Sequence, residues 1–154
     1  MRELAARSFV VGAWLILPLV VIQIFLAGLG IFDDAYFFFW HAAINAPIVF
    51  FLALILVLIG WLGRVPRRLL GLAGAIAGLT LLQSLLLLPY HLGAQGVLRA
   101  ISGLHALNAL VIFWVALQLL GRTRDWSMRT SQPVPVANPV PATEPSTTGE
   151  PVAR

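Results

Sequence analysis

Six polar residues stand in stretches of sequence that otherwise hold almost nothing polar. His41 opens the run His41-Ala-Ala-Ile-Asn-Ala-Pro-Ile-Val-Phe-Phe-Leu-Ala-Leu, and His105 opens His105-Ala-Leu-Asn-Ala-Leu-Val-Ile-Phe-Trp-Val-Ala-Leu. The two runs match closely once a single gap is allowed, because Asn45 follows its histidine by four residues and Asn108 follows its histidine by three. Upstream of each run lies one glutamine, Gln23 before the first and Gln83 before the second. A neutral imidazole offers a nitrogen lone pair to a metal. Side-chain amides in apolar surroundings bond across helices. A repeated set of glutamine, histidine and asparagine can therefore clasp helices together or surround a ligand.

The elements that must carry these residues follow from composition. Of the 154 residues 60% are hydrophobic and 10% charged, where a soluble domain carries about a quarter charged residues. No single aqueous core hides that much apolar surface in so short a chain, so lipid has to cover the rest. The stretches Ser8–Phe32, Ala35–Gly63, Leu69–Leu98 and Ala100–Gly121 contain no Asp, Glu, Lys or Arg. Each exceeds the roughly 20 residues that cross a hydrocarbon core as a helix. With no alternating pattern, helices alone satisfy the backbone in lipid. The expected fold is all-α: a transmembrane four-helix bundle over residues 1–126, with spans near 8–31, 41–63, 68–90 and 99–121. The first span is read as retained rather than cleaved, since its apolar run is longer than a signal peptide's and no Ala-x-Ala site follows.

All ten basic residues are arginines. Arg2 and Arg7 precede the first span, Arg64, Arg67 and Arg68 join the second to the third, and Arg122, Arg124 and Arg129 follow the fourth. Arg99 alone lies in an opposite loop, while Asp33 and Asp34 occupy the other. The positive-inside rule then predicts a multi-pass protein of the inner (plasma) membrane with both termini cytoplasmic. The arginines form short clusters between apolar runs rather than one polar face, so the bilayer, not nucleic acid, is the expected partner. Residues 127–154, rich in Pro, Val, Ala, Thr and Ser, read as a disordered cytoplasmic tail. Cysteine is absent, which excludes disulfides and thiolate chemistry.

The two runs imply two repeated helical hairpins, each with a glutamine on its first helix and a histidine on its second. Parallel repeats are related by an axis along the membrane normal, so His41 and His105 should face one another from diagonal helices. Measured along the helices from the nearest arginines, Gln23, Gln83 and His105 share one layer. His41 lies further from Arg64, nearer the opposite surface, whereas the repeat demands equal depth; the repeat is taken as the guide.

Two facing imidazoles suit haem b as axial ligands of its iron, held in a bundle between diagonal helices. Zinc would want three or four ligands, and no carboxylate lies in the spans. Gln23, Gln83, Asn45 and Asn108 are then the surrounding groups, and Arg99 the positive charge for the propionates. Electron transfer or redox sensing follows, with a membrane redox partner or a second copy as candidate partners. The competing reading is a cofactor-free scaffold or partner subunit whose polar layer is only helix glue. His91 is expected at the interface, and Gly28, Gly30, Gly71, Gly74 and Gly78 at close helix contacts. No Ser-His-Asp set, carboxylate pair or phosphate-binding glycine loop supports an enzyme.

The segments Gln23-Ile-Phe-Leu-Ala-Gly-Leu-Gly-Ile-Phe, His41-Ala-Ala-Ile-Asn and Leu104-His105-Ala-Leu-Asn-Ala-Leu resemble a family of small, uncharacterised bacterial four-helix membrane proteins over roughly residues 8–121. The layout is also similar to one half of haem A synthase or to a reduced cytochrome b561. Those likenesses imply haem b on bundle histidines. Ala42 follows His41 where haem A synthase has a His-Arg pair, so they imply haem binding and not oxygenation.

Overall fold

A computed structural model describes residues 1–130, all helices and turns. Four helical segments are long and apolar enough to cross a membrane: Arg2–Phe32, Phe37–Leu62, Arg67–His91 and Gly96–Thr130. The chain is a multi-pass membrane protein. The first span is one helix, α1 (Arg2–Phe32), continuous through Pro18. The second comprises a short turn α2 (Phe37–Phe39), a π-helical segment (Trp40–Asn45) and α3 (Ala46–Leu62). The third is α4 (Arg67–Leu86) followed by α5 (Leu88–His91), and the fourth α6 (Gly96–Ile101) followed by α7 (Leu104–Thr130).

α1 packs on α3 and α7, and α4 packs on the same two. Thus α1 and α4 form one diagonal of a square bundle and α3 and α7 the other, as the repeat predicts. The core is built on one side. Phe9, Ala13, Ile16 and Val20 of α1 meet Val49, Ala53 and Leu56 of α3, Leu69, Ala73 and Ile76 of α4, and Ile112, Val115, Ala116 and Leu119 of α7. These recur at three- and four-residue intervals, the spacing of one helical face. All of them lie between the polar layer and the arginine-rich loops.

Glycine permits the tightest approaches there. A Cβ on Gly63 would lie 2.8 Å from the backbone nitrogen of Ala6, and one on Gly60 would meet the side chains of Leu70 and Phe9. Of the glycines expected at close contacts, Gly30 touches the Phe38 ring, but Gly28, Gly71 and Gly78 have nothing within 4 Å of an added Cβ. Small residues reveal where backbones could approach, not which helix face turns inward.

α7 continues to Thr130, so residues 127–130, assigned to the tail, are helical. No glycine or proline interrupts the chain between Arg122 and Pro133. The rest of the expected disordered tail lies outside the described residues.

Candidate functional site

The polar layer is two copies of one clasp. In the first, Asn45 Nδ2 donates to Leu19 O at 2.9 Å and to Gln23 Oε1 at 2.6 Å. Gln23 Nε2 donates to His41 O at 2.9 Å, and His41 Nδ1 donates to Gln23 O at 2.8 Å. In the second, Asn108 Nδ2 donates to Leu79 O at 2.9 Å and also to Gln83 Oε1. Gln83 Nε2 donates to His105 O at 2.9 Å, and His105 Nδ1 donates to Gln83 O at 3.0 Å. Each of these four bonds has its counterpart in the other hairpin.

The unequal histidine-to-asparagine spacing is resolved by the π turn. Pro47 has no N–H, and its ring crowds the carbonyl one turn back. The chain responds with π-helical bonding over Trp40–Asn45, in which Ala46 N donates to His41 O. That widened turn absorbs one residue. Asn45, four residues after His41, thereby makes the bonds that Asn108 makes three residues after His105. His41 and His105 accordingly share one layer, which reconciles their depth.

The bonding also assigns the imidazole protons. A backbone carbonyl only accepts, so each Nδ1 carries its hydrogen and each Nε2 of the neutral ring keeps its lone pair. This is the arrangement that orients metal-ligating histidines. His105 Nε2 has no hydrogen-bond partner among the described residues, and Gln23 Nε2 lies 3.4 Å from His41 Nε2. The two rings face each other across the α3–α7 diagonal with centroids 6.1 Å apart and planes tilted by 54°.

Around the pair the bundle is hollow. A small pocket of about 80 Å³ lies between the rings and the core, floored by Val20, Val49, Thr80 and Ile112. Away from the arginine-rich side it gives way to a cavity of about 750 Å³, with Ala27, Gly28, Ala42, Ala106 and Ala109 among its lining residues. Cofactor and drug-sized ligands occupy cavities of about 300–1,000 Å³.

Arg99 is not among the residues lining this cavity. Its guanidinium lies 5.3 Å from the Tyr90 ring centroid, and that contact draws α6 onto α5. Tyr90 and His91 do line the cavity. His91 is exposed, with Nδ1 3.0 Å from Leu87 O. The sequence reading did not foresee that His91 lines the cavity; its position two helical turns beyond Gln83 was the available signal.

Fold and site define an α-helical multi-pass membrane protein whose two hairpins present a pair of oriented imidazoles over a hollow. Over residues 23–89 the chain is similar to a family of unknown function, DUF6220. That stretch contains Gln23, His41 and Asn45 of the first clasp, and Leu79 and Gln83 of the second. No curated protein and no solved structure matches the chain.

Proposed function

We propose that the protein holds haem b between His41 and His105 and serves in electron transfer or redox sensing. The observation that carries this is the spacing of the rings. A metal–imidazole bond is about 2 Å long, so a metal shared by two imidazoles would need their rings within several ångströms of each other. The observed separation is 6.1 Å. Among the described residues no group of three or more His, Cys, Asp or Glu could hold a metal. A metal held by these two nitrogens alone would take its remaining ligands from a macrocycle. When bound, haem supplies one-electron chemistry. The chain's own residues orient the imidazoles through Gln23 O and Gln83 O, and the largely apolar cavity lining would limit water around a bound group.

Orientation belongs to the same proposal. The arginine-rich loops lie in the cytoplasm, with both termini, and the membrane is the inner (plasma) membrane. Tags at residue 1 and after Arg154 should both be protected in right-side-out vesicles; exposure of either overturns this placement.

The cofactor-free scaffold rests on a different observation. Each clasp pairs the glutamine amide and the asparagine Nδ2 within itself, and Gln23 Nε2 already sits beside His41 Nε2. Titrating haem b into purified full-length protein separates the two. The proposal predicts one haem per chain with a low-spin, six-coordinate absorption spectrum, unchanged in His91→Ala. Failure to take up haem under any loading condition would leave the scaffold as the better account.

A further inference from the structure

On the arginine-rich side the chain forms a second concave site, independent of the histidine pair. A groove of about 660 Å³ lies where the α3–α4 turn meets the start of α1, lined by Arg2, Arg64 and Arg67 together with Trp61, Leu62 and Leu70. Arg2, distant in sequence, joins Arg64 and Arg67 of the α3–α4 turn there, because Gly63 brings its own Cα against the Ala5–Ala6 backbone of α1, a contact that any Cβ would block. Like charges drawn together need a counter-charge. Among the described residues the only acid–base ion pair is Arg7 with Glu3, so none of the three groove arginines has a carboxylate partner.

α4 begins at the groove after Pro66 without a side-chain cap, so its positive end adds to the field. The remaining wall is apolar and open: Trp61 is 68% and Leu62 52% exposed. Arginine forks match phosphate oxygens bidentately. An indole at this level sits where headgroup meets acyl chain. A purely hydrophilic phosphate would leave the Trp61 and Leu62 wall unused.

We infer that this groove binds an anionic phospholipid, its phosphate held by Arg2, Arg64 and Arg67 and the top of an acyl chain lying along Trp61, Leu62 and Leu70. The bound lipid would tie the N-terminus of α1 to the α3–α4 turn.

The test uses delipidated full-length protein in detergent, titrated with phosphatidylglycerol or phosphatidylcholine and read by native mass spectrometry. The wild type should prefer phosphatidylglycerol. The triple variant Arg2→Gln/Arg64→Gln/Arg67→Gln should lose roughly tenfold or more of that preference, since each arginine at an anionic surface strengthens binding about fivefold. The control Arg122→Gln/Arg124→Gln/Arg129→Gln removes as much charge near the same side and should keep the preference. Equal loss in both would show diffuse attraction and overturn the site, as would a wild type without preference. Inorganic phosphate that displaces the lipid at equal concentration would show a soluble phosphate ligand and overturn the lipid assignment. Should the triple variant fail to fold, Arg2→Gln alone must still lower the preference about fivefold; no change there also refutes the proposal.

Discussion

The two halves of this bundle are made of the same apolar alphabet yet built differently. On the arginine-rich side, four uninterrupted α-helices bury Phe9, Ile16, Leu56, Ile76 and Leu119 completely. On the other side every helical irregularity in the spans occurs: the π turn at Trp40–Asn45, the break at Leu87, and the break between α6 and α7. That side holds the cavity of about 750 Å³. The two Gln-His-Asn clasps mark the boundary. In lipid, helices gain little from mere apolar contact, and close packing and hydrogen bonds have to hold them together. One half relies on packing. The other is held apart by hydrogen bonds at a set distance, which leaves room for a ligand while the packed half supplies stability.

Substitutions can break this contrast. Leu56→Ala, in the packed half, should have the largest effect, a loss of about 2–4 kcal/mol, because a fully buried side chain leaves a void; reversible unfolding in mixed micelles measures it. Gly63→Ala should destabilise by about 1–3 kcal/mol, since the added methyl meets the Ala6 backbone rather than a movable side chain. Asn108→Leu removes two interhelical bonds and should cost about 1–2 kcal/mol, in line with hydrogen bonds between membrane helices. Gly28→Ala is the smallest and should have the opposite sign. Its Cβ enters the cavity without contact, so helix propensity alone acts, stabilising by up to about 1 kcal/mol. If the two glycine substitutions behave alike in the same unfolding experiment, the halves do not differ as described.

Much of this arrangement is legible in the sequence, for particular reasons. Charge-free stretches reveal spans because a membrane tolerates few charges. The repeat around His41 and His105 reveals the diagonal pairing because a duplicated hairpin must close by rotation. Other features depend on information that composition does not carry. Pro47 signals a distortion, but only the backbone shows that it takes the form of a π turn that brings Asn45 into register with Asn108. The proton positions of the imidazoles depend on the carbonyls of Gln23 and Gln83, which every residue possesses and no side-chain pattern betrays. Arg99 looked like a counter-charge for the site; its contact with Tyr90 arises from the α5–α6 turn, whose geometry Gly93 and Gly96 set with their positive φ values of 71° and 59°.

The central claim is that the two imidazoles act as one ligand pair. The most direct test is the haem absorption spectrum and binding stoichiometry of His41→Ala, His105→Ala and the double variant, each compared with wild type at matched folding. The pair predicts that either single change abolishes the six-coordinate, low-spin spectrum and greatly reduces bound haem, and that the double change adds little, as for residues acting as a unit. Haem that remains low-spin after loss of either histidine, or that depends on His91 instead, would contradict it.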